Sequence, residues 1–292
     1  MTKALEFEGE QLFSAPRFGQ LRYDSLGKEI IKQVNAKFTG TPAEIKRDYI
    51  VGKNQPIRAS NPFIQFAVDR AGIEGKHDIR VYTPEQAELL LAKKRLPEMG
   101  QVYYDLGLCL DFSGKNHGLA VKLFEQLPTE LRNLERLPAV MLGLNPTRAG
   151  NDVSFGYDEH SVMRTARILV EQTGNFDEHD AQLVLSGLPS KLAGGTRKMY
   201  TATQKKPSVE NLGILRLFLN RYHNLSSNIE DLAGSGEDGR VGLWSGGAAD
   251  AKLVEDYQQQ RNANFAGLKA SVEARQKDDL ALLERTKKEL RL

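Results

Sequence analysis

The chain is 292 residues long, 40% hydrophobic and 27% charged, with a formal net charge of +2. That length buries a core without covalent staples and fits about one to two domains; the proportions are those of a soluble globular protein, and a charge so near balance gives no support to a nucleic-acid-binding surface. The lone Cys109 excludes a disulfide-built secreted domain. No run of about 18 apolar residues reads as a transmembrane helix, and charges interrupt the apolar residues of the N-terminal MTKALEFEGEQLF, so a cytoplasmic location without signal peptide is expected.

Residues 24–38 place Leu26, Ile30, Ile31 and Val34 at helical spacing, with Asp24 or Ser25 as the cap. Thr41-Pro42-Ala43-Glu44 puts a hydroxyl at a cap, proline at the first helical position and glutamate at the third, which predicts a short helix. After a loop at 54–63, a helix is predicted over 63–71, ended by Gly72, then a short strand over 79–82. Thr83-Pro84-Glu85-Gln86 is the clearest capping box, with Ala87, Leu90, Leu91 and Leu96 as the apolar face behind it and Pro97 at its end. Residues 102–112 read as a strand, 117–127 as a helix stopped by Pro128, and 137–144 as a buried strand. Val153, Phe155 and Tyr157 alternate as in a strand, while periodicity leaves 162–170 open between helix and strand. Glycines and a proline make 186–198 a loop.

Ile214, Leu215, Leu217, Phe218 and Leu219 form a strand-like apolar ladder. Gly234-Ser235-Gly236-Glu237-Asp238-Gly239-Arg240 looks superficially like a phosphate cradle, but its two acidic residues would repel a phosphate. It reads as a tight turn between strands whose glycines supply positive φ. From 248 to 292 there is no proline and no glycine except Gly267, and Leu253, Tyr257, Phe265, Leu268, Val272, Leu280, Leu283 and Leu290 lie largely at helical spacings. Glu273 with Lys277 and Glu284 with Lys288 are helix-supporting pairs. A helix of roughly 40 residues would span about 60 Å. It reads as an amphipathic tail that pairs with another helix and supports a homo-oligomer, the alternative being a helix packed on its own domain.

Cys109 sits in an apolar strand pattern and reads as a buried structural thiol. Asp158-Glu159-His160 and Asp177-Glu178-His179-Asp180 set carboxylates beside histidines, but adjacent residues point in different directions, so no metal is expected, and no cofactor either. Gly114-Lys115 lacks the lead-in of a phosphate loop, and Arg197-Lys198 with Lys205-Lys206 reads as a solvated basic edge. The run from Asn220 to Asp231 differs. Its Asn, Arg, Tyr, His and Ser side chains combine rigid amphipathic rings with adaptable hydrogen bonding, the types that recognition surfaces favour; the plainer reading is an ordinary polar loop.

Several segments together resemble the target proteins of diversity-generating retroelements. They are Ser186-Gly187-Leu188-Pro189, Gly195-Thr196-Arg197-Lys198-Met199-Tyr200-Thr201, Leu215-Arg216-Leu217-Phe218-Leu219-Asn220, Asp231-Leu232-Ala233-Gly234-Ser235 and Asp238-Gly239-Arg240-Val241. Upstream, Thr83-Pro84-Glu85-Gln86-Ala87-Glu88 and Gly100-Gln101-Val102-Tyr103-Tyr104-Asp105-Leu106-Gly107-Leu108 are similar as well. In that family an error-prone reverse transcriptase rewrites adenines of a template copy, and the varied side chains line a ligand-binding face on a C-type-lectin-like fold. The resemblance implies that Phe218, Asn220, Arg221, Tyr222, His223, Ser226, Ser227, Asn228, Ile229, Glu230, Gly234, Gly236 and Glu237 vary and bind ligand. Leu217, Leu219, Leu225, Leu232 and Val241 would be the fixed core positions beneath them.

The expected fold class is α+β: a mixed α/β N-terminal part (1–130), a C-type-lectin-like variable module (131–247) and a long helical tail (248–292). The expected function is binding of an unidentified ligand, a protein or other macromolecule, without catalysis. A structural or assembly protein that uses the tail helix for oligomerisation is the alternative. A hydrolase or transferase built on His160 or His179 is a third reading.

Overall fold

The computed structural model describes residues 17–92, 94–169, 182–185, 199–222, 224–245 and Lys277. The chain divides into one unit running to Ala248 and a second from Ala249 to Leu292. In chain order the first unit carries β1 (Arg17–Gln20), α1 (Ser25–Phe38), α2 (Pro62–Glu74), β2 (Arg80–Val81), α3 (Pro84–Ala92), β3 (Tyr103–Asp111) and α4 (His117–Glu125). Then follow β4 (Ala139–Leu142), β5 (Asn145–Ala149), β6 (Asp152–Gly156), β7 (Val162–Leu169), β8 (Gln182–Leu185) and β9 (Met199–Thr201). The last four are β10 (Gly213–Leu219), β11 (Leu225–Ile229), β12 (Gly239–Arg240) and β13 (Gly242–Ser245). Helices and multi-stranded sheets occur together, so the protein is α+β. No helix among the described residues is long and apolar enough to cross a membrane.

Eight strands form one sheet in the order β10-β11-β9-β8-β7-β4-β3-β12. A further antiparallel pairing of β10 with β3 closes seven of them into a ring, with β12 added parallel to β3. Around this ring β1, β13 and β2 make a small antiparallel sheet, and β5 with β6 a hairpin. Both faces of β3, β4 and β10 are covered, which explains why their sequences are near-continuous apolar runs. On one face Leu108, Leu110, Met141 and Ile214 pack with Ile30, Ile64, Phe66 and Leu123 from the helices. On the other, Leu106, Cys109, Val140, Leu217 and Leu219 pack with Tyr82, Leu90 and Leu91. Burying each such leucine is worth roughly 1.5–3 kcal/mol relative to exposure.

The inside–outside alternation of β3 slips at Gly107. Leu217 pairs with Gly107 and Phe218 with Asp105, so Leu106 is an extra residue and the strand bulges. Gly107 has φ 142°, and a Cβ there would lie 2.6 Å from Met141 O. Only glycine fits. The bulge leaves Tyr104 and Leu106 on the same side as Cys109 and turns Asp105 to the opposite face.

Local signals translate well where a cap or a period is strong. Asp24 accepts from Gly27 N at 2.8 Å and caps α1. Thr83 and Gln86 exchange reciprocal bonds of 2.9 and 3.3 Å at the start of α3. Residues 162–169 are a strand because β4 and β8 pair with its two edges. Thr41-Pro42-Ala43-Glu44, by contrast, does not start a helix. Thr41 Oγ1 donates to Phe38 O, Glu44 accepts from Gly40 N, and Asn35 both donates to and accepts from the Ile45 backbone. The segment is a turn off the end of α1, since no apolar period follows to bury a helix. Helix α2 continues through Gly72 and ends at Gly75, whose N–H bonds Ala71 O. Gly72 is glycine for space: a Cβ would lie 2.8 Å from Ile79 O.

No boundary falls at residue 130. β3 is hydrogen-bonded to both β4 and β10, so a division into 1–130 and 131–247 would cut the sheet between paired strands. The expected loop at 186–198 and the tail helix at 248–292 lie outside the described residues, apart from Lys277, which is helical.

Candidate binding site

The segment singled out by its side-chain chemistry is the β10–β11 hairpin and the loop that follows it. All seven residues of β10 are buried between β3 and β11. Asn220 then closes the turn. Its N–H donates to Asn224 O at 2.9 Å, and its Oδ1 accepts from the N–H groups of Tyr222 at 2.9 Å and Asn224 at 3.0 Å. This holds Arg221 and Tyr222 out at the tip. The Arg221 guanidinium lies 5.0 Å from the Tyr222 ring centre and donates to its hydroxyl at 3.0 Å. Tyr222 is 69% exposed. His223 lies outside the described residues.

β11 buries Leu225, Ser226 and Ser227, then exposes Asn228 and Ile229, with Glu230 exposed just beyond. Ser226 sits opposite Phe218 and accepts from Asn220 Nδ2 at 3.3 Å. Phe218 meets the Tyr103 ring edge-on at 6.1 Å, with the Arg216 guanidinium 5.7 Å away. Phe218 and Ser226 therefore support the surface from beneath. Ser227 is wholly buried and paired with buried Thr201. It belongs to the core and cannot touch a ligand on this surface. The physical reason is a register shift: Arg216 faces Ile229 while Phe218 faces Ser226, so β11 carries an extra residue and simple alternation fails.

Gly234, Gly236 and Glu237 lie on the return loop, and two buried arginines hold that loop. Arg216 donates from Nη2 to Asp105 Oδ2 at 2.8 Å and to Ser60 O at 2.7 Å, and from Nη1 to Gly234 O at 2.9 Å. Its guanidinium lies 4.7 Å from the Tyr103 ring centre. Burial would lower its pKa, but the Asp105 carboxylate outweighs that and raises it. The Tyr103 hydroxyl donates to Ser60 O and accepts from Gly236 N, both at 3.0 Å. The loop glycines are there for space and not for positive φ, which none of them adopts. A Cβ on Gly234 would lie 2.4 Å from Asp231 Oδ2, and one on Gly239 2.5 Å from the Tyr103 hydroxyl.

Arg240 closes the loop from the other end. It donates from Nε to Glu98 Oε2 at 2.8 Å and from Nη1 to Glu237 O at 2.7 Å. Glu98 also accepts from Gln20 at 2.8 Å. Burial raises the Glu98 pKa, but the hydrogen bonds from Arg240 and Gln20 prevail and hold it below the usual range. A lowered carboxyl stabilises the fold above the unfolded value of about 4.3 and loses that contribution as pH falls through the folded value. Urea titrations from about pH 6 down to about pH 3 should show this acid-side loss, and Glu98→Gln should flatten it. An acid limb identical in the variant would refute the assignment.

At the far end of β11, Asn228 and Glu230 line a cleft of about 670 Å³ with Ser113, Gly114, Lys115, Ala202, Thr203 and Lys205. Lys115 pairs with Glu230 at 2.9 Å. Beneath the cleft Asp111 accepts from Ser113 N at 3.0 Å, Ser113 Oγ at 2.6 Å and Gln204 Nε2 at 3.0 Å, and burial raises its pKa against those bonds. The expected contact residues therefore fall into three places: the tip, the cleft end of β11 and the return loop. With a rise of about 3.3 Å per residue, β11 sets the first two roughly 15 Å apart.

Elsewhere, Asp158 accepts from Arg70 at 2.6 Å, Ser161 Oγ at 3.1 Å and His160 N at 3.1 Å, while the His160 ring is exposed beside Glu159. His179 and its neighbours lie outside the described residues. Burial pushes the Cys109 thiol well up. Among the described residues no three His, Cys, Asp or Glu side chains gather as metal ligands. Sequence reasoning passed over the buried pairs Arg216–Asp105 and Arg240–Glu98. The signal was available for the first: a charge inside LRLFL and another inside YYDLGL, both apolar runs, each needed a partner. Comparison with known protein families, curated proteins and solved structures finds no match to this chain.

Proposed function

We propose that this is a ligand-binding protein, without catalysis, whose exposed side chains between 218 and 237 are diversified by adenine-directed mutagenesis from a retroelement, on a C-type-lectin-like module with a helical tail. The observation that carries the reading is the division of labour along one short stretch. Arg216, Leu217, Leu219, Leu225, Leu232, Arg240 and Val241 are buried, whereas Arg221, Tyr222, Asn228, Ile229, Glu230 and Glu237 are exposed. Packing and buried ion pairs hold the first group, whereas the side-chain contacts of the second are exposed ones, Arg221 with Tyr222 and Glu230 with Lys115. Binding energy in such a site comes from a few aromatic or arginine anchors, for which Arg221 and Tyr222 are the candidates.

The DNA neighbourhood tests this reading. A reverse-transcriptase gene beside an imperfect repeat of codons 210–245 that differs at adenines is expected; neither being present would overturn it. Stability gives a second check. Tyr222→Ala and Asn228→Ala should each shift folding stability by no more than about 0.5 kcal/mol, because both side chains are exposed. A loss above about 1.5 kcal/mol in urea denaturation would mean that the fold depends on the surface it is said to leave free.

A further inference from the structure

We propose that the cleft between the β3–α4 loop and the end of β11 binds the oxyanion of a small ligand, phosphate or carboxylate, and that residue 230 sets how strongly it does so. The inference rests on the binding reading above and assigns a ligand chemistry to one of its three places. Gly114, Lys115, Thr203, Lys205, Asn228 and Glu230 line it. At about 670 Å³ the cleft lies within the range of small-molecule sites, about 300–1,000 Å³.

Two ammonium groups belong to it, in different states. Lys205 makes no ion pair among the described residues, and its Nζ lies over Gly114, 2.9 Å from where a Cβ would stand. Gly114 has φ 74°, so a side chain there would be strained. Lys115 is held by Glu230 at 2.9 Å, with both side chains more than half exposed, 51% and 62%. Water screens such a pair, so it contributes little to the fold. Its consequence is local: the Glu230 carboxylate takes the place on Lys115 that an anionic ligand would take. Thr203 and Asn228 add a hydroxyl and an amide with no hydrogen-bond partner among the described residues. The Asp111 carboxylate, bonded to Ser113 of the lining, is occupied by three donors. Ammonium, hydroxyl and amide donors around a space with a single displaceable carboxylate suit an oxyanion.

Position 230 is also one of those expected to vary. Copies of the chain with a neutral residue there would leave both ammonium groups available, and copies with an acidic residue only one. The full-length chain titrated at constant ionic strength with inorganic phosphate, and separately with acetate, tests this through the amide resonances of Gly114, Lys115 and Lys205. Phosphate alone moving them assigns a phosphorylated ligand, acetate alone a carboxylated one. Glu230→Gln should bind the effective anion roughly two- to fivefold more tightly than the parent. Lys205→Met should bind it more weakly, with the melting temperature unchanged in both. Resonances unmoved by either anion, a Glu230→Gln affinity equal to the parent's, or full binding by Lys205→Met would each overturn the proposal. A template repeat varying at adenines together with unmoved resonances would sink the oxyanion site and leave the diversified surface standing.

Discussion

Arg216→Met is expected to destabilise the protein by about 3–5 kcal/mol, the cost of leaving a buried carboxylate without its counter-ion. Asp105 is 2% exposed and Arg216 5%, so water cannot replace the lost partner. The substitution also removes the donors that Ser60 O and Gly234 O accept from, roughly 1 kcal/mol each. Removing both charges should be far milder. Asp105→Leu with Arg216→Met replaces the pair by apolar volume, and such exchanges are often neutral. Urea denaturation of the parent, the two single variants and the double variant forms the test. A double variant no better than Arg216→Met alone would mean that the two side chains are not energetically coupled.

Gly107→Ala is the second large effect. The position combines φ 142° with a Cβ site 2.6 Å from Met141 O and 2.8 Å from Leu142 Cδ2. Strain at such a backbone conformation costs roughly 1–3 kcal/mol, and overpacking of a filled core adds roughly 1–3 kcal/mol. A combined loss of about 3 kcal/mol or more is expected in the same assay. The effect should also reach the surface, because the bulge at Gly107 is what turns Asp105 towards Arg216. Loss of the return-loop amide signals at Gly234 and Gly236 would accompany it. An alanine variant as stable as the parent, with those signals intact, would show that the bulge is not needed.

Both predictions concern groups that a one-dimensional reading handles poorly. Caps were legible because they are local: Asp24 and the Thr83–Gln86 box act within three residues of themselves. Buried strands were legible where apolar runs met the length of a strand, as in 102–112 and 137–144. The same local rules misjudged Thr41–Glu44 and Gly72, where a neighbouring segment settles the conformation. Positive φ was assigned to the glycines of 234–239, yet their role is to let Asp231, Tyr103 and Ser60 approach. Such approaches come from far away in the chain and leave no mark in the local pattern.

For the candidate site, residue chemistry alone picked out the tip, and Arg221 and Tyr222 are exposed there. It did not separate Ser226 and Ser227 from Asn228, because an extra residue in β11 breaks the alternation. Nor did it join Gly114 and Lys115 to Lys205, about ninety residues later, or see that Glu230 would reach Lys115.

The sequence by itself determined the mixed α+β character, the apolar frame of β3, β4 and β10, and which stretch carries recognition-type side chains. Those properties follow from composition, period and capping, all of which act over a few residues. Tertiary structure alone decided the closure of the ring through β3 and β10, the two bulges that set which side chains face outward, and the buried arginines that hold the return loop. Each depends on which strand lies beside which, and pairing between residues more than a hundred positions apart is governed by the packing of the whole core.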